Sequence, residues 1–243
     1  MKAPVTQQRQ LLEIQELDTR IAQLNHQRRT HTTLATLEEL EGRAEDLQRA
    51  LTQADVELSD SRQAVQRAET DVEQVENRTQ RSQEILNTGQ GSPKELQNLT
   101  AEIEALNRRQ EVLEETQLEA MEQADEAEKR YSDIAKQLGS IQEQIRAVEE
   151  ERDEAFTHID QELEKVTQTR VDLASGINPE LLELYENVRS MTGGLGAVAL
   201  KGEATVGIHV PLSLTELSAI KQADEDEVIQ SEDYDYLLIR VEA

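Results

Sequence analysis

Apolar residues recur alternately three and four positions apart over most of the chain. From Ala44 the series runs through Leu47, Leu51, Ala54, Leu58, Ser61, Val65, Ala68, Val72, Val75, Thr79, Ser82 and Leu86. It stops at Asn87-Thr88-Gly89-Gln90-Gly91. It then restarts with Leu96, Leu99, Ile103, Leu106, Gln110, Leu113, Gln117, Ala120, Ala124, Ala127, Tyr131, Ile134, Leu138, Ile141, Ile145 and Val148, followed by Ala155 and Ile159. A period of 3.5 residues held over many heptads keeps one apolar stripe facing a partner helix. Two such stretches of similar length around a single break predict a long antiparallel two-helix coiled-coil hairpin.

The first arm is expected over residues 6–86, roughly 120 Å at 1.5 Å per residue. Its early apolar positions are Leu11, Leu12, Ile14, Leu17, Ile21, Leu24, Leu34, Leu37 and Leu40, and their phase changes between His26 and Thr33. Thr30, Thr32 and Thr33 have low helix propensity, so a bend or stutter is expected there. The second arm has a defined start, with Ser92 as cap, Pro93 in the first turn and Glu95 closing a capping box. It is expected to end at Ser175-Gly176. Folding about Gly89 pairs residues whose numbers add to roughly 182, placing Leu51 opposite Tyr131, Leu47 opposite Ile134 and Leu24 near Ile159. Gln110 and Gln117, polar residues within the seam, are read as register-fixing.

Beyond Gly176 the pattern changes. Pro179 opens a short helix over residues 180–190 with an apolar stripe of Leu181, Leu182, Tyr185 and Val188. Gly193, Gly194 and Gly196 mark a joint. Strands are expected over 197–200, 205–210 and 236–241, and a helix capped by Ser213 runs through Ile220 with Leu214, Leu217 and Ile220 inward. The predicted fold is therefore mostly α: the hairpin over 1–176 with its tip near 87–92, a joint over 177–196, and a small α+β knob over 197–243.

Composition narrows the function. Hydrophobic residues make up 36% of the chain and aromatics 2%, enough for a thin seam but not for one large round core. The net charge is -26, which repels phosphate backbones and makes direct nucleic-acid binding unfavourable. From Ala197 onward three basic residues, Lys201, Lys221 and Arg240, face ten acidic ones. The basic pairs Arg28-Arg29 and Arg108-Arg109 lie beside acidic residues of their own helices and are expected to form intrahelical or cross-helix ion pairs. There is no cysteine. No apolar signal core follows Lys2, and no run approaches the roughly 18 apolar residues of a membrane span, so a cytoplasmic location without membrane contact is expected.

The chain resembles a family of bacterial proteins in which a coiled-coil hairpin precedes a four-cysteine zinc ribbon, often labelled nucleic-acid-binding. The resemblance rests on Ser92-Pro93-Lys94-Glu95-Leu96 with Glu102-Ile103, on Gly202, on Gly207-Ile208-His209 with Pro211-Leu212, and on Leu237-Leu238-Ile239-Arg240. It implies links to transcription or secretion machinery. It also implies a zinc site, at positions that here read Thr205, Ile208, Ser231 and Tyr234. None supplies the thiolate or imidazole that structural zinc takes, so a metal-free, degenerate ribbon is expected. Ile208 and Tyr234 are expected to bury apolar surface in the metal's place, with Val198, Leu212, Leu217, Ile229, Leu237 and Ile239.

No catalytic apparatus is legible. Gly193-Gly194-Leu195-Gly196 lacks the lysine and hydroxyl residue of a phosphate loop, and the acidic run 224–235 lacks calcium-loop spacing. The sequence reads as a non-enzymatic scaffold or adaptor without cofactor, with Tyr185, Leu182, Ser92 and Lys94 as candidate contacts to protein partners. The alternative is a nucleic-acid-associated regulator acting through the ribbon-like segment.

Overall fold

A computed structural model describes residues 1–207, 212–231 and 234–241. Its helices are α1 (Val5–Arg29), α2 (Thr32–Thr88), α3 (Pro93–Ser175), α4 (Pro179–Met191) and α5 (Leu214–Gln222). Its strands are β1 (Ala197–Lys201), β2 (Ala204–Val206), β3 (Ile229–Gln230) and β4 (Leu237–Val241). The fold is mostly helical, an antiparallel coiled-coil hairpin with a small C-terminal mixed sheet. The chain separates into two compact units, one of residues 1–34 with 150–243 and one of residues 35–149.

In the unit of residues 35–149, α2 and α3 run antiparallel. The seam buries Leu37, Leu40, Ala54, Leu58, Ala68 and Val72 from α2 against Ile103, Leu113, Ala127, Leu138 and Ile141 from α3. Glu57 to Arg130, Arg62 to Glu128, Glu76 to Gln110 and Arg78 to Glu102 bridge the helices, and the two numbers of each pair add to between 180 and 190, close to the expected register. Gln110 does reach across, donating to Glu76 at 3.2 Å. At the turn Gly89 takes φ 62°, a conformation glycine adopts without penalty. Ser92 and Glu95 close the capping box: Ser92 N–H donates to Glu95 Oε2 at 2.7 Å and Glu95 N–H donates to Ser92 Oγ at 3.4 Å.

The first arm is not one helix. It breaks at Thr30-His31, within the stretch where the apolar phase changes, and Thr30 Oγ1 donates to the His26 carbonyl at 2.9 Å. A threonine hydroxyl that bonds the backbone competes with the helical ladder. Beside the break, Arg28 lies 4.5 Å over the Phe156 ring and pairs with Asp160 at 2.8 Å, so this arginine makes the cross-helix pair expected of it.

In the other unit the sheet order is β2-β1-β4-β3, with β1 and β4 parallel and both outer pairings antiparallel. Period-two alternation splits the sheet's residues between two faces. Ala197, Leu237 and Ile239 join Leu11 and Ile14 of α1, Ala174 of α3 and Leu181, Tyr185 and Val188 of α4 in one core. Val198, Leu200 and Leu238 join Ile220 of α5 in another, flanked by the half-buried Leu212 and Ile229. Residues 1–3 also lie along this unit: Ala3 N–H donates to the Asp226 carbonyl at 2.7 Å, and Val228 N–H to the Met1 carbonyl at 3.0 Å.

Several expectations are corrected. The strand expected over 205–210 is observed as Ala204–Val206, and Ile208, His209 and Val210 lie outside the described residues. Leu214 is 87% exposed rather than inward, because the face of α5 turned to the core carries Glu216 and Ile220 instead. Tyr234 is 39% exposed and stacks on Tyr236 at 5.6 Å, so it covers a neighbouring ring instead of filling a metal-sized space.

Candidate functional site

The most heavily organised polar cluster lies where α1, α3 and α4 meet. Asp18, one turn beyond Ile14 on the inner face of α1, is buried. It accepts from the Tyr185 hydroxyl at 2.8 Å and from Arg170 Nε at 3.1 Å, and Arg189 Nε stands 3.5 Å away. Glu186 pairs with both Arg170 and Arg189. Two carboxylates and two guanidinium groups thus balance in charge, as a buried ionic group requires. Burial foremost, then Asp18, raises the Tyr185 pKa, so the phenol stays a donor. Burial works to raise the Glu186 pKa, yet the two arginines outweigh it and hold the carboxyl below its usual range.

Gln15 extends this network to the glycine joint. Its Oε1 accepts from Gly196 N–H at 2.6 Å and Ala197 N–H at 3.2 Å and lies 3.2 Å from the Tyr185 hydroxyl, whose proton points to Asp18, while Nε2 donates to the Gly194 carbonyl at 3.0 Å. Gly196 is required for contact as well as for hydrogen bonding: a Cβ there would stand 2.4 Å from Tyr185 Cε2. Gly194 and Gly196, two of the three glycines expected to mark a joint, are therefore pinned.

Beside this network a groove of about 550 Å³ opens between α1 and the β1–β2 hairpin. Its apolar wall is formed by Leu12, Leu195, Val198 and Val206, and its rim by Glu16, Thr19 and Arg20. Val206 is 51% exposed. Arg20 is paired with Glu162 at 2.5 Å, which holds its charge along the rim.

The expected contact residues do not come together. Tyr185 is fully buried (0% exposed), a core residue rather than an exposed contact, because its ring packs on Gly196 and its hydroxyl is committed to Asp18. Leu182 is half-buried and packs against the same core. Ser92 and Lys94 are exposed at the hairpin turn, in the other unit.

Arg240 has a role that its sequence context did not reveal. Its guanidinium donates to the carbonyls of Ala223 at 3.0 Å, of Ile220 at 3.4 Å and of Glu227 at 3.4 Å, and to that of Asp224, closing the C-terminal end of α5. A basic residue ending an apolar strand was the one available signal.

The four positions matched to zinc ligands do not suit a metal. Thr205 is on β2, Ser231 is buried, Tyr234 is exposed, and Ile208 lies outside the described residues. Two aliphatic hydroxyls and a phenol are poor zinc donors. Among the described residues no three His, Cys, Asp or Glu side chains are grouped to hold a metal ion. None of their helices is long and apolar enough to cross a membrane.

Residues 14–193 match the family described as the CT398-like coiled coil hairpin domain. An uncharacterized protein of Mycobacterium tuberculosis is 29% identical over 246 residues, covering 100% of this chain and 98% of that protein. A solved structure from Mycobacterium smegmatis has a TM-score of 0.87 at 29% identity, covering 99% of this chain and 100% of that one. The structure of CT398 from Chlamydia trachomatis has a TM-score of 0.69 at 19% identity, covering 97% of this chain and 98% of that one. At that identity the likeness speaks for the fold alone.

Proposed function

The chain belongs to the CT398-like coiled-coil hairpin family, and from that premise we propose that it is a non-enzymatic adaptor acting in the cytoplasm through contacts with protein partners. The observation that carries this reading is the groove between α1 and the β1–β2 hairpin. It presents Leu12, Leu195 and Val206 on a base fixed by the Gln15–Asp18–Tyr185 network. Apolar concavities with a few placed polar groups on rigid elements are where partners insert anchor side chains. The exposed turn at Ser92 and Lys94 is a second contact. The sheet with α5 is a degenerate, metal-free ribbon, its core supplied by Val198, Leu200, Ile220 and Leu238.

Direct nucleic-acid contact through the ribbon-like segment is the weaker reading, because its ten acidic residues against three basic ones oppose phosphate. The test compares the proteins captured by the intact chain with those captured by Val206→Arg and Leu12→Arg variants that keep the wild-type circular dichroism. A specific partner lost on both substitutions supports the reading. Identical capture by all three forms, or salt-sensitive binding of single-stranded RNA instead, contradicts it.

A further inference from the structure

The connection from β3 to β4 carries two of the chain's four tyrosines and presents them as a stack. The Tyr234 and Tyr236 rings lie with centroids 5.6 Å apart and planes 6° from parallel. Tyr236 is half-buried and packs against both cores of its unit, so it forms a fixed backing. Tyr234 is 39% exposed with one ring face on that backing, which leaves its opposite face and hydroxyl edge to solvent. Backbone contacts hold the pair in place. Ser231 N–H donates to the Tyr236 carbonyl at 2.9 Å, Asp235 N–H to the Ser231 carbonyl at 3.2 Å and Gln230 Nε2 to the Asp235 carbonyl at 2.8 Å. Asp235, between the two tyrosines, takes φ 66°, a left-handed conformation that aspartate tolerates.

Charge decides what such a platform takes. The face of an aromatic ring is electron-rich and attracts cations. Asp235 is exposed and, among the described residues, makes no ion pair. The basic residues nearest in sequence are committed elsewhere, Lys221 to Glu203 and Arg240 to the carbonyls at the end of α5. From Ala197 onward ten acidic residues stand against three basic ones. The chain makes the corresponding contact once within itself, where Arg28 lies 4.5 Å over the Phe156 ring; among the described residues no cation covers Tyr234. A planar, weakly hydrated guanidinium suits a ring face better than an ammonium does.

We propose that the Tyr234–Tyr236 stack is a binding platform for an arginine side chain of a basic protein segment, the guanidinium lying on the open face of Tyr234. The uncompensated acidic charge of the surrounding segment draws the cation in. Because the rings are already stacked and backed, little freedom is lost on binding. The platform lies at the β3 edge of the sheet, opposite the β2 edge, and does not depend on what the groove binds.

The test uses the intact chain with ring-labelled tyrosine and two peptides of equal charge, Gly-Arg-Gly-Arg-Gly and Gly-Lys-Gly-Lys-Gly, titrated by NMR. The arginine peptide is expected to shift the ring signals of Tyr234 and Tyr236 while those of Tyr131 and Tyr185 stay in place. Its affinity is expected to fall about two- to five-fold in Tyr234→Leu, the range of an exposed cation–ring contact, and to be retained in Tyr234→Phe. The wild-type chain should prefer the arginine peptide to the lysine peptide, and Tyr234→Leu should lose that preference. No binding of the arginine peptide, or binding that leaves the Tyr234 ring signals unmoved, overturns the platform. Equal affinity of the wild type and a folded Tyr234→Leu overturns it as well, because attraction to acidic charge alone then accounts for the binding.

Discussion

Removing the Asp18 carboxylate is the perturbation that best probes how the ionic cluster holds its unit together. In Asp18→Ala the Tyr185 hydroxyl can turn its proton to Gln15 Oε1, 3.2 Å away, so its loss is partial. Arg170 and Arg189 keep only Glu186, and a balanced group of two carboxylates and two guanidiniums becomes one with excess positive charge. Breaking a buried pair by deleting one partner costs about 3 to 5 kcal/mol. Arg170 retains 17% side-chain exposure and so some hydration, which sets the expectation at the lower end, about 3 kcal/mol. Tyr185→Phe removes one hydrogen bond to a charged acceptor and leaves the arginines paired, so about 1.5 kcal/mol is expected. The two losses are not additive, because they share the Asp18–Tyr185 bond. Equilibrium urea unfolding followed by tyrosine emission measures both, since Tyr185, Tyr234 and Tyr236 all belong to this unit. If Asp18→Ala unfolds within about 0.5 kcal/mol of the wild type, the cluster does not hold the unit and the reasoning fails.

Three further outcomes follow from the same geometry. Glu186 has its folded pKa below the unfolded value of 4.5, so its contribution is complete above that pH and disappears as pH falls through the folded value. Glu186→Gln should lose about 1 kcal/mol at pH 7, the partly exposed carboxylate being screened, and should show a shallower acid limb in urea titrations from pH 5 to 3. Gly196→Ala forces a Cβ against the Tyr185 ring, and a loss of about 1 to 3 kcal/mol is expected in thermal melts, relieved in part by Tyr185→Ala. Arg240→Ala uncaps the C-terminal carbonyls of α5, and amide exchange over residues 219–224 should rise about ten-fold.

The helical part was legible because its signals are local and repeat. The capping box at Ser92 to Glu95 sets the start of α3, the threonine-rich phase change marks the break at Thr30-His31, and the seam's register follows from the position of the turn. The C-terminal part was legible only in outline. A two-residue strand such as β3 carries no periodicity, and the parallel pairing of Val198 with Leu238 joins segments that no hairpin turn connects. The pairing of residues 1–3 with 226–228 is more remote still. Tyr185 was read correctly as part of an apolar stripe of α4. Its burial depends on Asp18, 167 positions away, and on the absence of a side chain at Gly196. Tertiary proximity of that kind leaves no mark in either neighbourhood of the sequence.

In this fold α2 and α3 of one chain close on each other. Because the chain has no cysteine, spin labels can be placed singly at positions 62 and 128, where Arg62 and Glu128 form a cross-helix pair at 3.2 Å. Helix axes about 10 Å apart, with two label arms, predict a separation under roughly 25 Å. The signal should be unchanged by dilution with unlabelled protein. A continuous helix over the intervening 66 positions would instead separate the labels by roughly 100 Å. Such a long distance, or a short one that vanishes on dilution, would mean that the two helices do not pair within one chain.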